Sequence, residues 1–493
     1  MTLARIAVVA LCLPGLIVAH ASIDARAEPL FAPGADIRVN LDRTGSQAET
    51  AIAVNPRDQA NLVAVWRDFR NPDFFTGTFI GVADSRDRGL TWRSRLLALP
   101  PYELVGDPVV AADPGGTFHV IMTVAPNGSS GGNAFNWIVR SLDGGATWSA
   151  PVDGGPFVDK PWINADPATG VLYEIGFALA GGTGEHVAHS LNGGLTWSKI
   201  SLIGQSQQGG LAQNLEIGLA GELYLAWFST LSKGLPGVRL QRSFDRGATW
   251  DVDLPVSPDA AFPSFVLNGG VFAAPSPATA VDRGSGPHRG RIYVVWEDPR
   301  FGDPDIVLAR SDDGGTTWSA PTRVNDDAPR NGADQFQPWI NVDMRGRVLV
   351  TFLDRRGDPA NRNYALFLAT SSDGGATFRR NIRVSDGFFP AGTFPTPDRV
   401  FVGDYNAAPV GAGHLHAIWS DARFGDQDVF TQSLDLEDYD EDGVPNDGDG
   451  DGQYASHPCR TRGTGCDDNC PGEGNPTQID RDGDGAGDAC DPS

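Results

Sequence analysis

Short stretches of alternating apolar and polar residues, separated by clusters of Gly, Asp, Asn and Pro, run through most of this chain. That pattern reads as half-buried β-strands joined by turns. It is clearest from Arg291 to Asn325, RIYVVWEDPRFGDPDIVLARSDDGGTTWSAPTRVN. There the spacing predicts one strand over Ile292 to Trp296, a charged loop, a second strand over Asp305 to Arg310, a tight turn, and a third strand over Pro321 to Asn325. An apolar stretch ahead of each such unit, for example Phe336 to Val342, supplies a fourth and innermost strand. Four strands in sequence order make the unit of a β-propeller.

The turn before the third strand has a fixed chemistry. Six copies of Ser-x-Asp-x-Gly-x-Thr-Trp/Phe begin at Ser85, Ser141, Ser190, Ser243, Ser311 and Ser371, roughly 50 to 70 residues apart, with Asn192 in the Asp place of the third copy. The period marks a modular array. In a hairpin the carboxylate of Asp143 or Asp313 can fold back onto the turn's own N–H groups. Gly145 or Gly315 tolerates the positive φ that the turn needs. Thr147 and Trp148 re-enter a strand, where the indole can serve as a buried anchor. This octapeptide is the Asp box, and from about Gly34 to Leu436 the chain resembles the sialidase-like, BNR-repeat β-propellers.

Second strands of seven units end near Ser85, Ser141, Ser190, Ser243, Ser311, Ser371 and Ser433, and the last lacks an octapeptide after it. The segment DIRVN at Asp36 to Asn40 matches PTRVN at Pro321 and NIRVS at Asn381, both of which follow octapeptides. It is therefore expected to supply the missing outer strand of the last unit. The expected fold is all-β: a seven-bladed propeller over residues 34–436, closed by pairing of the chain's two end strands, which removes open sheet edges. The alternative is the six-bladed sialidase fold.

Residues 1–27 read as a signal peptide, with a charged start at Met1 to Arg5, an apolar run from Ile6 to Val18, and Ala25-Arg26-Ala27 as a cleavage site before Glu28. The apolar run is too short to span a bilayer. Leu11 before Cys12 is too large for lipoprotein processing. Cys459, Cys466, Cys470 and Cys490 lie together near the C-terminus, an even number suited to disulfides in an oxidising compartment. The expected pairs are Cys470–Cys490 and Cys459–Cys466. Extracellular or cell-surface localisation follows.

Residues 437–493 differ in kind. Phe and Trp disappear, and fifteen acids face three arginines from Asp438 to Ser493, about half of the chain's net charge of −24. Such a segment cannot build a packed core. Its spacing, however, suits calcium: Asp480, Asp482 and Asp484 alternate before Gly485, with Asp488 and Asp491 beyond, so that oxygens surround a Gly turn. Asp438, Asp440 and Asp442 before Gly443, with Asp447, begin a second loop, and Asp447, Asp449 and Asp451 before Gly452 a third. The stretch CDDNCPGEGNPTQIDRDGDGAGDACD, Cys466 to Asp491, resembles a thrombospondin type 3 repeat. The resemblance implies a coreless tail held by Ca2+ and disulfides, with Asp480, Asp482, Asp484, Asp488 and Asp491 as ligands. An insertion at roughly residues 452–465 departs from that family's pattern. The acidic balance argues against nucleic acid as a partner.

On the propeller, the face opposite the octapeptides is where binding is expected. An aromatic-x-Asp-x-Arg phrase recurs there: Trp66, Asp68, Arg70; Trp296, Asp298, Arg300; Phe352, Asp354, Arg356; Trp419, Asp421, Arg423. Period-two spacing puts the three side chains on one side if the strand extends that far, where Asp and Arg could hold a sugar or a carboxylate. A phrase present in four units also suits a unit-to-unit salt bridge, so residues peculiar to single units are the stronger catalytic candidates: Glu297, Lys160, Arg399, Asp404 and Tyr405. His414-x-His416 reads as strand surface. Resemblance to sialidases implies three arginines for the substrate carboxylate, a Tyr nucleophile activated by Glu, and an Asp acid/base. Tyr405 and Glu297 are the candidates for the Tyr and Glu, but the Arg-Ile-Pro motif that supplies the family's first arginine is absent. Two functions are therefore expected: a propeller that recognises an extracellular glycan or surface protein beside a calcium-binding stalk, or an exo-sialidase-like glycoside hydrolase.

Overall fold

The computed structural model describes residues 35–42, 44–70, 77–100, 104–125, 135–156, 159–177, 185–198, 201–203, 214–229, 237–261, 263–396 and 399–437, and, in the C-terminal segment, 458, 459, 466, 468, 477–481, 487 and 488. The described chain is all-β, in four-stranded sheets. The first sheet shows how each is built. Strands Ser46–Val54, Leu62–Phe69, Phe79–Ser85 and Arg93–Leu96 follow one another antiparallel, and the two middle ones are almost wholly buried. Buried Val, Ile, Leu and Ala alternate across both sheet faces, so each sheet packs against a neighbour on either side.

Five further sheets repeat this order, opening on strands Leu104–Ala112, Asp159–Ala165, Leu215–Ile217, Ala278–Val281 and Gln335–Val342. A seventh joins Val410–Gly411, His414–Asp421 and Asp428–Asp435 to the N-terminal strand Ile37–Arg38, whose partners are Thr431 and Phe430. Segments leading into or forming the innermost strands of all seven line one central cavity of about 410 Å3. An eighth sheet was not legible from periodicity. It pairs Val271–Phe272 in parallel with Arg399–Phe401 and is flanked by Val266–Leu267 and Pro395–Thr396, joining two loops about 130 residues apart in sequence.

The octapeptide is a closed hydrogen-bond unit. In the copy at Ser311, the Ser311 hydroxyl donates to Asp313 at 2.8 Å and accepts from Gly315 N–H, while Asp313 accepts from the Thr317 N–H and hydroxyl at 2.8 and 2.6 Å. Gly315 has φ of 84°. The Trp318 indole N–H caps the Gly315 carbonyl. In the third copy the Asn192 amide donates to the Thr196 hydroxyl at 2.9 Å, reversing the donor of that bond but keeping the turn. The octapeptides also tie neighbours together: Asn61 donates to the carbonyls of Ser85 in its own sheet and Gly144 in the next.

Cys459 and Cys466 form a disulfide with S–S 2.02 Å. Cys470, Cys490 and residues 1–27 lie outside the described residues, as do Asp438, Asp440, Asp442, Asp447, Asp482, Asp484 and Asp491. Among the described residues no helix is long and apolar enough to cross a membrane, and no three His, Cys, Asp or Glu side chains group as metal ligands.

Candidate functional site

In four sheets the repeated phrase forms a bracket at the end of the strand next to the innermost one, Leu62–Phe69, Ile292–Asp298, Val348–Asp354 and His414–Asp421. Trp296 N–H donates to Asp298 at 2.9 Å, and Arg300 binds the same carboxylate through its backbone N–H and guanidinium. Trp419, Asp421 and Arg423 repeat this, with Trp419 N–H donating to Asp421 at 3.0 Å. Arg70 pairs with Asp68 at 3.0 Å and Arg356 with Asp354 at 2.8 Å. Each guanidinium then reaches into a flanking segment: Arg70 to Asp42, Arg300 to Asp259 and Ser257, Arg356 to Asp326, Arg423 to Asp36 and Asp386. Stacking adds to this at Arg356 over Phe367 and at Arg423 over Phe389 and Phe430. All four arginines thus stand in ion pairs with buried aspartates. Trp66, Asp68 and Arg70 also border a shallow cavity of about 360 Å3 with Asn40, Asp42 and Arg95.

Because side chains alternate along a strand, the residue between the aromatic and the Asp of the phrase faces the other way. At that position stand Arg67, Glu297, Leu353 and Ser420. Arg67 and Glu297 meet the start of the innermost strands, where four sheets share one irregularity. Pairing slips between Ala48 and Ala51, Gly106 and Val109, Asp159 and Trp162, and Phe336 and Trp339. Within each slip one residue takes a left-handed backbone: Glu49 at φ 56°, and Asp107, Lys160 and Gln337 each at 50°. A non-glycine residue held there costs about 1–3 kcal/mol and marks a side chain aimed by its surroundings. Gly403 completes the set, since a Cβ on it would lie 2.6 Å from the Glu49 nitrogen.

These bulges bring charged groups of different sheets together. Arg67 pairs with Glu49 at 3.3 Å, and the second Glu49 oxygen accepts from Asp107 N–H at 2.9 Å. Asp107 accepts from the Thr123 hydroxyl at 3.1 Å. Lys160 Nζ donates to Ser276 at 3.1 Å. Glu297 Oε1 accepts from Gln337 N–H at 2.7 Å, and its other oxygen is buried without a partner among the described residues. Gln337 in turn donates to the Gly403 carbonyl.

The carboxylates perturb one another. Burial pushes Glu49 well above the usual range, Asp107 adds to this, and Arg67 opposes it. Burial raises Asp159 to about 7, with Asp107 and Asp404 adding and Lys160 and Arg67 opposing. Asp404 is raised by burial and lowered by Lys160. Burial takes Glu297 to about 8. Crowded, desolvated carboxyls of this kind hold protons near neutral pH, which acid–base chemistry and polar-ligand binding both use.

Of the single-unit candidates, Lys160, Asp404 and Glu297 join this cluster. Tyr405 lies beside it, but its hydroxyl donates to the Pro108 carbonyl at 3.0 Å and makes no hydrogen bond to Glu297. Burial, then Glu49, raise the phenol. Arg399 sits apart on the eighth sheet, over Phe272 at 5.4 Å. His416 is buried against Ser433, with burial lowering it to about 3. Sequence reasoning missed Glu49, Asp107, Asp159 and Arg67. A usable signal was present in Asp107-Pro108, Lys160-Pro161 and Gln337-Pro338, a polar residue before proline at the same point of three units.

In the C-terminal segment, Asp488 N–H donates to the Ile479 carbonyl at 2.7 Å and Arg481 N–H donates to Asp488 at 2.8 Å, so Asp488 is tied to the segment from Ile479 to Arg481.

No family model matches the chain. A xyloglucanase from Paenibacillus sp. is 27% identical over 306 residues, 57% of this chain; the chain spans about a quarter of that protein, 27% of its length. Among solved structures, a protein of unknown function from Dyadobacter fermentans is similar at TM-score 0.46 and 16% identity, covering 82% of this chain and 99% of that one. The Hadza microbial sialidase Hz136 is similar at TM-score 0.43 and 16% identity (79% and 66% covered), and the NanB sialidase of Streptococcus pneumoniae at 0.41 and 14% (82% and 70%).

Proposed function

We propose that this chain is an exported, seven-bladed β-propeller, its ring closed by the strand Ile37–Arg38, that recognises an extracellular glycan lacking a carboxylate. The observation that carries this reading is the cluster of Glu49, Asp107, Asp159, Asp404 and Glu297 around Lys160 and Arg67 at the bulged ends of the innermost strands. Acids that hold both protons and charge can donate to and accept from hydroxyl or amino groups, whereas an anionic sugar would be repelled. A surface protein presenting lysines is the corresponding non-glycan partner. The C-terminal segment is read as a calcium-binding stalk. Asp480, Asp482, Asp484, Asp488 and Asp491 would hold one ion, a reading supported by the bonds that tie Asp488 back to Ile479 and Arg481; Asp438, Asp440, Asp442 and Asp447 would hold another. Bound Ca2+ would supply structural cross-linking there in place of a core.

A second reading is a glycoside hydrolase. Its support is the pairing of raised carboxyls, Glu297 at about 8 and Asp159 at about 7, with ionisable neighbours, because glycosidases use one protonated and one ionised carboxyl. The exo-sialidase form needs free arginines for the substrate carboxylate, and Arg70, Arg300, Arg356 and Arg423 are each bound to their own aspartate.

The test is a glycan-binding panel on the mature chain with Ca2+, beside turnover of a fluorogenic α-sialoside and of neutral glycosides, each repeated with Asp404→Asn. Binding of neutral or amino sugars that weakens in the variant supports recognition. Turnover of a neutral glycoside lost in the variant moves the reading to hydrolase. Turnover of the α-sialoside overturns the carboxylate-free reading.

A further inference from the structure

The octapeptides fix their turn tips on the face opposite the bulge cluster, and the variable positions of those turns belong to no site described above. At the second position stand Arg86, Leu142, Leu191, Phe244, Asp312 and Ser372 in chain order, and Leu90 and Leu195 stand at the sixth position of the first and third copies. Large apolar side chains thus mark the first four copies and none of the last two. They project into solvent: Leu90, Leu142, Leu191 and Phe244 are 68%, 76%, 64% and 68% exposed. The sheets that carry them, opening on Ser46–Val54, Leu104–Ala112, Asp159–Ala165 and Leu215–Ile217, pack in chain order, and Arg86 of the first turn donates to the Asp143 carbonyl of the second. Single apolar residues scattered over a surface are ordinary, but one at the tip of each of four consecutive repeats makes an arc.

The fourth position adds charge at the two ends of that arc. It is glycine in four copies, among them Gly144 at φ 68° and Gly314 at φ 71°, but arginine in the first and fourth, Arg88 at φ 59° and Arg246 at φ 60°. A side chain held in that left-handed conformation is strained. Nothing within the chain repays it, since both arginines are exposed and enter no ion pair among the described residues. The acids beside them are committed elsewhere: Asp87 and Asp245 each accept with both oxygens from the N–H and hydroxyl of a Thr in their own turn. Exposed guanidinium groups beside Leu and Phe suit a lipid interface, where apolar tips leave water and the cations bond phosphate oxygens of the headgroups. A protein partner would need four separate pockets at matching spacing. A bilayer needs only tips at one height, which equivalent positions of one repeated turn provide. The net charge of −24 disfavours a strongly anionic membrane.

We infer that the octapeptide arc of the first four sheets is a docking surface for a zwitterionic phospholipid bilayer, with Leu90, Leu142, Leu191 and Phe244 entering the headgroup layer and Arg88 and Arg246 holding phosphate. The bulge cluster then faces away from the membrane. The inference does not depend on the glycan reading of that cluster.

The test is flotation of the full mature chain with vesicles of phosphatidylcholine and phosphatidylethanolamine, beside its oligomeric state without vesicles by sedimentation velocity. Two variants use residues that the protein itself carries at these positions, so each turn should stay closed and the thermal transition should hold. Leu142→Ser with Leu191→Ser and Phe244→Ser copies Ser372, and should weaken vesicle binding at least about 10-fold. Arg88→Gly with Arg246→Gly copies Gly314, and should weaken it about 5- to 20-fold. Asp404→Asn should float as wild type does. Wild-type chain that stays out of the floating fraction, or flotation unchanged in both arc variants, overturns the inference. Self-association of the wild type that the Ser variant abolishes, without flotation, would make the arc a contact between copies and overturns it too. Flotation lost in Asp404→Asn and kept in both arc variants would place the bilayer at the bulge cluster, with the same result.

Discussion

Arg423 joins the two ends of the chain, and its removal is the sharpest test of how the last sheet is held. Its guanidinium reaches Asp421 on its own sheet at 2.7 Å, Asp36 beside the N-terminal strand at 2.7 Å, and Asp386 at 3.0 Å, lying over Phe389 at 3.5 Å and Phe430 at 3.8 Å. The Asp36 and Asp421 side chains are fully buried. Arg423→Met keeps much of the aromatic packing but strands both carboxylates, a loss of about 3–5 kcal/mol from a stability of roughly 5–15. The loss should depend on pH. One cation shared among three carboxylates does not offset burial at Asp36, whose pKa is raised to about 7. A carboxyl raised in the folded state contributes stability that is fully present below its unfolded value and is lost as pH rises through the folded one. At about pH 5, Asp36 is protonated in either protein, so Arg423→Met strands Asp421 alone and should cost about 1–2 kcal/mol less than at higher pH. Near pH 8 the full cost should appear. Guanidinium denaturation followed by Trp fluorescence at both pH values measures it, and protease cleavage near residue 40 reports detachment of the end strand. A loss that is equal at the two pH values, or below about 1 kcal/mol at the higher one, would refute the reasoning.

Three further outcomes are expected. Glu297→Gln mimics the protonated acid, so it should be near neutral in stability below about pH 4, where Glu297 is protonated folded and unfolded, gain on wild type as pH rises, and hold a constant advantage above the folded Glu297 value of about 8; a denaturation series across pH decides it, and a variant destabilised throughout would contradict the raised pKa. Asp313→Ala removes the acceptor of the Thr317 N–H and hydroxyl and should cost about 1–2 kcal/mol; since those bonds lower Asp313 to about 2, the difference from wild type should be present above about pH 4 and shrink as pH falls toward 2. Chelation of Ca2+, or Cys490→Ser, should speed protease cleavage after residue 437 while the propeller's thermal transition stays put, and unchanged cleavage of that segment would count against bound calcium.

The parts legible in advance are those decided within a few residues. The octapeptide closes its hydrogen bonds between Ser311 and Trp318, so its residue types carry the turn. Strand alternation put Trp296 and Asp298 on one side, while Arg300, in the turn after the strand ends at Asp298, is brought back to Asp298 by its own backbone and guanidinium bonds. The match of Asp36–Asn40 to segments that follow octapeptides marked an outer strand, and Ile37–Arg38 indeed pairs with Asp428–Asp435. The same alternation, taken one step further, would have turned attention from the repeated Asp and Arg to the variable residue between the aromatic and the Asp.

What the sequence by itself determined is the local grammar: strand, octapeptide turn, repeat period, acidic tail. These follow from side-chain periodicity and turn chemistry, which act over a handful of residues. Tertiary structure alone decided the site. Glu49, Asp107, Lys160 and Gln337 adopt strained left-handed backbones because neighbouring sheets over-determine them, and Asp404 reaches the same cluster from 355 residues beyond Glu49. The central cavity likewise exists only where seven separated strands converge. No periodicity encodes such a meeting point, because burial and charge there are properties of the packed sheets together and not of any one unit.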